Sequence, residues 1–305
     1  MKVSLVATVK DAVRYVGEFL ASVAAQTRAS DEVIVVDGGS TDGTLETLRA
    51  ASGITLIEEP GANIARGRNL AVRAAAHDAI AVSDADCVLE PHWLERLIEP
   101  LERGADVSMG VYRPLPRTFF EGCAAAISIK EPEELREDTY MPSARSVAFR
   151  RDAFERAGGY PEWMALGEDM YLNHRWRELG VRMDLARDAV VARRPRSDLA
   201  AYWRQFAGYA EHDAWGGMHG GRHALRFAAY GALAVAVASR RRGLLALAVA
   251  AGGLYAARPV RRAWRRMPSP GRRLAVLGAV PALMAATDLA KMAGYLRGIG
   301  GRARR

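Results

Sequence analysis

The segment "DAIAVSDADC" (78–87) ends an apolar run with two carboxylates, Asp84 and Asp86, one residue apart. Side chains at i and i+2 of an extended segment point the same way, so these two stand side by side at a strand end. Like charges held that close repel unless something positive lies between them. A divalent cation gripped by hard oxygen ligands meets that need and can bridge the pair to a diphosphate. Asp37, in "VVDGGSTDGT", follows a second apolar run at a Gly-rich turn. That turn lacks the Lys of a P-loop and the spacing of a dinucleotide fingerprint. An Asp there prefers donors such as a base N–H or ribose hydroxyls, so the expected ligand is a nucleotide held by its nucleoside, with its phosphates elsewhere.

Alternating strands and helices must position these carboxylates. "KVSLVATV", "DEVIVVDGG", "ITLIEEP" and "AIAVSD" read as strands, and "GEFLASVAAQ", "DGTLETLRAA" and "ARGRNLAVRAAAH" as the helices between them. Ser40, Thr41 and Asp42 are candidate caps for the second helix. Such alternation predicts an α/β fold with a mostly parallel sheet covered on both faces. Ligands bind such sheets at the carboxyl ends of the strands, where Asp37 and Asp84 both fall. Thr8 and Lys10 end the first strand, and with Asp11 they border the expected nucleoside pocket or else belong to a surface loop. Arg66 and Arg68 are set either to contact base or phosphate or to form a solvated helix face.

The 305 residues allow one large domain or two ordinary ones. Cys87 and Cys123 are far apart in sequence, which argues against a disulfide framework and for a reducing compartment. The opening "MKVSLVATVKDA" reads as a first strand and not as a signal peptide. From Arg222 onward 16 Arg and one Lys face a single acid, Asp288, a net +16, so residues 1–221 carry −8 of the total +8. Apolar blocks of 13, 15 and 14 residues (227–239, 243–257 and 274–287) interrupt these Arg clusters. Nucleic-acid tails rarely carry such blocks, whereas membrane helices flanked by snorkelling Arg do. Each block is shorter than the roughly 20 residues of a bilayer span, so re-entrant, in-plane or buried helices stay open beside a hairpin. The expected division is a catalytic domain at 1–221 and a basic, hydrophobic, membrane-associated helical tail at 222–305.

The motifs and their order resemble family 2 glycosyltransferases: "VVDGGSTDGT", "ARGRNLAVRAA", "SDADC", "RSVAFRRDAFERAGGYPEW" and "LGEDMYLNHR", over about residues 1–215. The resemblance implies a GT-A (Rossmann-like) fold and an inverting, nucleotide-sugar-dependent enzyme with Mg2+ or Mn2+ as cofactor. It makes Asp37 the acid that contacts the nucleoside, Asp84-Ala-Asp86 the DXD motif and Glu168-Asp169 the ED motif that carries the base. Thr8, Lys10, Asp37, Arg68, Asp84 and Asp86 are then the nucleotide-sugar-binding residues, with the metal on Asp86 and Asp84. The metal would offset charge developing on the leaving diphosphate. Asp169 would take the acceptor's proton, with Glu168 as orienter or substitute.

The sequence departs from the family at Asp37-Gly38, where many relatives have two adjacent acids. "AEHDAW" (210–215) is no clean match to the QxxRW-like motif of processive relatives, which favours single-sugar transfer. The implied partners are a nucleoside-diphosphate sugar, a lipid-linked or membrane acceptor and the membrane surface, with no nucleic acid. The catalytic domain is expected on the cytoplasmic face. Residue by residue, other readings exist: a turn role for Asp37 and first-turn helix acids for Glu168-Asp169. Arg193, Arg194 and Arg196 lead into a basic amphipathic helix or bind diphosphate or lipid headgroups. His212 is a weak metal candidate, and Cys87 a packing residue. A nucleotidyltransferase, or a non-catalytic membrane or nucleic-acid binding protein, are the competing classes. The first normally carries a basic Gly-rich loop where this chain has "TVKDAVRYVG", and the second predicts damaged motifs where all three are intact.

Overall fold

The computed structural model describes residues 1–302, which form two compact units. The first comprises Met1–Arg113 and Glu131–Arg194; the second comprises Pro114–Lys130 and the chain from Pro195 on. The sequence boundary at 221/222 falls near the start of a helix of the second unit.

In chain order the first unit contains β1 (Val3–Val9), α1 (Val13–Ala24), β2 (Glu32–Asp37), α2 (Thr44–Arg49), β3 (Thr55–Glu58), α3 (Ile64–Ala74) and β4 (Ala79–Asp84). After these come β5 (Cys87–Leu89), α4 (Trp93–Glu102) and β6 (Val107–Pro114). The second unit contributes α5 (Phe119–Ser128), and the chain returns to the first as β7 (Val147–Arg150), α6 (Arg151–Arg156), α7 (Glu168–Glu178) and β8 (Met183–Arg193). One eight-stranded sheet runs in the order β3-β2-β1-β4-β7-β6-β8-β5. The β3-β2-β1-β4 half is parallel, as strand–helix alternation requires. The other half brings in antiparallel pairs, β4 with β7, β7 with β6 and β5 with β8, so the sheet is mixed.

Period-two alternation splits the strand residues between two apolar layers. Leu5, Ala7, Val35 and Ala81 join Phe19 of α1 and Trp93, Leu97 and Ile98 of α4 on one face. Val6, Ile34, Val36, Ile80 and Val82 join α3, α6 and Trp176 of α7 on the other. Both faces being covered explains why β1, β2 and β4 read as nearly continuous apolar runs.

The second unit has its own core, in which Cys123, Ala124 and Ala126 of α5 pack with Tyr202, Phe206 and Ala207 of α8 (Leu199–Gly216). Three further helices follow, α9 (Gly220–Ser239), α10 (Arg242–Arg266) and α11 (Pro270–Arg302). Val276, Val280, Leu283 and Met284 of α11 and Ala256, Ala263 and Val260 of α10 complete this core. By length and composition α10 and α11 are each long and apolar enough to cross a membrane. They exceed the sequence blocks because each helix continues through the flanking Arg residues, which are good helix formers. α11 packs along α8 with almost no space at two glycines. A Cβ on Gly294 would lie 2.0 Å from the Ala207 carbonyl oxygen, and one on Gly298 2.4 Å from that of Glu211. Buried Asp288 of α11 accepts from Arg226 Nε at 2.8 Å and from the hydroxyls of Tyr230 and Tyr255, fastening α9 and α10 to α11.

Candidate active site

The site lies at the carboxyl ends of β1, β2 and β4, and α3 reaches it because of Gly67. A Cβ there would stand 2.9 Å from Thr8 Cγ2, so only glycine lets the helix lie this close on β1. The next residue, Arg68, is fully buried. Its Nη2 donates to Asp84 Oδ1 at 2.5 Å, its Nη1 donates to Glu168 Oε1, and its guanidinium lies 5.4 Å from the Tyr160 ring centre. One cation therefore joins the Asp84-Ala-Asp86 and Glu168-Asp169 motifs.

Asp84 also lies 3.5 Å from Arg145 Nε through its other oxygen. Burial alone would push the Asp84 carboxyl up, but Arg68, Arg145 and Arg193 outweigh it and hold the carboxyl below its usual range. Asp86 is the more open of the two, with its side chain 34% exposed. Arg145 Nε lies 3.9 Å from its Oδ1, and Arg193 Nε 3.7 Å from its Oδ2. Arg193 is buried beside Cys87, its partner across β5 and β8, and its Nε has no hydrogen-bond partner among the described residues.

Gly167, with φ of +77°, turns the chain into α7 and sets Glu168 and Asp169 in the helix's first turn. Glu168 is buried, and burial is the main force raising its carboxyl to about 7; Arg68 opposes this and Asp169 adds to it. Arg68 is itself penalised by burial, but Asp84 and Glu168 more than compensate and raise it above the usual guanidinium range. Asp169 is half-buried and accepts from the backbone N–H of Ala144 at 3.3 Å and of Met170 at 2.8 Å. Asn173, one turn further on, donates to the Pro142 carbonyl at 2.7 Å, so α7 also fixes the 142–144 loop.

Asp37 is buried and accepts three hydrogen bonds, from the N–H groups of Gly39 and Ser40 at 2.9 Å each and from Ser40 Oγ at 2.5 Å. It thus shapes the Gly-rich turn from within. Ser40 and Thr41 are not helix caps here: Ser40 Oγ accepts from Asp11 N–H and Thr41 N–H donates to Asp11 Oδ1, both at 2.9 Å. Asp42 and Thr44 accept from the N–H groups of Val13 and Ala12 and so cap α1 from the neighbouring loop. Thr8 Oγ1 is buried without a hydrogen-bond partner among the described residues, an orphan hydroxyl beside Asp84 in the β1/β4 register.

Thr8, Arg68, Asp84, Asp86, Glu168 and Asp169 therefore converge, while Asp37 and exposed Lys10 lie one strand or one loop away. Arg66 pairs with Glu59 on an exposed face. His212 bonds within α8 to the Gly208 carbonyl at 2.9 Å. No group of three or more His, Cys, Asp or Glu with metal-binding geometry exists among the described residues. Cys87 and Cys123 are free and buried, and burial pushes the Cys87 thiol well up. Arg145 has no role in the sequence reading, although continuing the antiparallel register Val82↔Val147 by two places brings it opposite Asp84. The demand for a positive charge between Asp84 and Asp86 is the sequence feature that would have directed attention to it.

Comparisons with known proteins bear on the fold and the family. A family model described as glycosyl transferase family 2 matches residues 4–156. Over 202 residues the chain is 27% identical to glycosyltransferase AglE of Haloferax volcanii, covering 62% of this chain and 65% of that protein. Over 223 residues it is 28% identical to the O-antigen chain rhamnosyltransferase RfbN of Salmonella typhimurium, covering 67% of this chain and 71% of that one. Among solved structures, a mannosyltransferase from Pyrobaculum calidifontis, in complex with GDP-Man and Mn2+, shares the fold. Its TM-score is 0.53 at 19% identity, covering 99% of this chain and 75% of that one. Because the family model matches half of the chain, with Asp84 at the end of β4 and Asp86 in the turn after it both inside the matched residues, the chain belongs to glycosyl transferase family 2.

Proposed function

We propose that this protein is an inverting glycosyltransferase that moves one sugar from a nucleoside-diphosphate sugar to a hydroxyl of a lipid-linked or membrane-bound acceptor. The observation that carries the reading is the Arg68 bridge, which brings Asp84, Asp86, Glu168 and Asp169 to one strand edge.

Thr8, with its orphan hydroxyl, Lys10 and the turn shaped by Asp37 receive the nucleoside. The donor set at Asp86 fits a divalent cation of the Mg2+ or Mn2+ type. Such ions are commonly held by one or two carboxylates plus substrate phosphates, and Asp86 is partly exposed, with a weak contact from the Cys87 thiol and two long ion contacts to Arg145 and Arg193. Asp84, engaged by two guanidinium groups, stands behind it as the second carboxylate of the pair. When bound, the cation offsets negative charge on the departing diphosphate.

Asp169 takes the proton of the attacking acceptor hydroxyl, because it is the half-open carboxylate of its motif and the Ala144 N–H fixes its orientation. Glu168 is too buried to meet an acceptor and acts through Arg68 as a positioning residue. Attack on the face opposite the leaving group inverts the anomeric centre.

Residues 1–221 form the catalytic domain in this reading, and residues 222–305 associate with the membrane, the catalytic domain facing the cytoplasm. The long apolar helices α10 and α11, with Leu247, Val249, Leu254 and Leu274 exposed, support the membrane assignment.

The test is nucleoside diphosphate release from a panel of nucleotide sugars by detergent-solubilised protein, with and without Mn2+ or Mg2+, beside Asp86→Ala. Metal-dependent release from one sugar, lost in the variant, is expected. Release that persists undiminished in Asp86→Ala would refute the reading.

A further inference from the structure

The Asp84/Asp86 pair already has a positive charge within it. Arg145 Nε lies 3.5 Å from Asp84 Oδ2 and 3.9 Å from Asp86 Oδ1. We propose that Arg145 is a built-in counter-cation that leaves this pair for the diphosphate of the donor. Only then can a divalent cation settle on Asp86, so cation and nucleoside diphosphate bind together and cation alone binds poorly. This rests on the reading of the site as one for a nucleoside-diphosphate sugar.

Three guanidinium groups surround the pair, and they are held very differently. Arg68 is fully buried and grips two carboxylates at hydrogen-bond distance, so it cannot move without exposing both. Arg145 is anchored through its backbone, whose carbonyl accepts from Ser83 Oγ at 3.0 Å just before β7 pairs with β4. Its side chain donates from Nη1 to Ser143 Oγ at 2.9 Å, while its Nε meets the two carboxylates only at 3.5 and 3.9 Å, beyond the hydrogen-bond distance at which Arg68 holds Asp84. Arg193 is buried, and its Nε, which has no hydrogen-bond partner among the described residues, lies 3.7 Å from Asp86 Oδ2, so it is a second group poised for an anion.

The charges give the order of events. A divalent cation on Asp86 would come within a few ångströms of the Arg145 guanidinium, and like charges at that distance in a partly buried site repel strongly. A diphosphate removes the conflict by giving Arg145 an acceptor of better geometry, because a guanidinium fork matches phosphate oxygens in pairs. Arg145 and Arg193 then hold the diphosphate from the protein side while Asp86 holds the cation. The coupling is reciprocal: nucleotide must tighten cation binding by the factor by which cation tightens nucleotide binding.

The experiment measures Mn2+ binding to the full chain in detergent by electron paramagnetic resonance of free Mn2+, with and without uridine, guanosine or thymidine diphosphate. Wild type, Arg145→Gln, Arg145→Lys and Asp86→Ala are compared after thermal melts establish that each is folded. Without nucleotide, Arg145→Gln should bind Mn2+ about tenfold or more tighter than wild type, and added nucleotide should improve its binding far less. Arg145→Lys, which keeps the charge, should stay near wild type, and Asp86→Ala should not bind. Arg145→Gln binding Mn2+ no tighter than wild type, or nucleotide coupling equal in the two, overturns the proposal while leaving the glycosyltransferase reading standing. Failure of every nucleotide to bind, with or without Mn2+, overturns both.

Discussion

Arg68 on α3 donates to Asp84 at the end of β4 across 2.5 Å, and both side chains are buried. The same guanidinium serves Glu168, so removing it strands two buried carboxylates. Uncompensated buried charge is costly, and Arg68→Met is expected to lower stability by about 3–5 kcal/mol in chemical denaturation. A loss below about 1 kcal/mol would mean that Arg145 and water already neutralise Asp84.

Glu168 gives stability a pH dependence with a definite sign. Its carboxyl ordinarily titrates near 4.5 and is raised to about 7 in the fold. Between those values the folded state holds a proton that the unfolded chain has released, so this contribution is complete below about 4.5 and is lost as pH rises through 7. Cation-free protein should therefore become less stable from pH 5 to pH 7, and Glu168→Gln should flatten that slope. Parallel slopes in the two proteins would place the proton elsewhere.

Asp169→Asn keeps the shape of the side chain and one of its two accepted bonds, from the Ala144 or the Met170 N–H, but cannot accept a proton. Transfer to acceptor is expected to fall by roughly 10²–10⁴-fold with donor binding preserved, measured by single-turnover kinetics beside nucleotide titration. Unchanged transfer would move the base role away from this residue.

The α8/α11 contact leaves no room at Gly294 or Gly298, where an added Cβ would fall inside van der Waals distance of backbone oxygens. Small residues permit such close helix approach, as between membrane helices. Gly294→Val should force the helices apart and lower the melting temperature of the detergent-solubilised protein, an overpacking cost of about 1–3 kcal/mol or more. Gly278→Val, on the same helix with open space around it, should melt near wild type.

The parallel half of the sheet was legible because each of its strands is a short apolar run followed by a helix that must return to start the next strand. "AIAVSD" coincides with β4, and "ITLIEEP" contains β3. The antiparallel half was not legible, since β4 meets β7 and β5 meets β8 across long sequence separations that no local period reports. Arg145 was hidden for the same reason: its partnership with Asp84 and Asp86 exists only through the β4/β7 register. The helical tail was partly visible, but counting residues without charge split it at its arginines, where α10 and α11 run on to 25 and 33 residues.

The second unit draws its first helix from the middle of the chain. α5 packs its Cys123, Ala124 and Ala126 against residues of α8, α10 and α11 that are synthesised much later. While the chain is being made, part of the apolar face of α5 stays uncovered until α10 and α11 emerge. A chain cut after residue 221 to obtain a soluble enzyme would keep α5 and α8 but lose the α10 and α11 side chains that cover them. Such a truncation should be stickier than the intact protein and not cleaner, and the tail is better solubilised than removed.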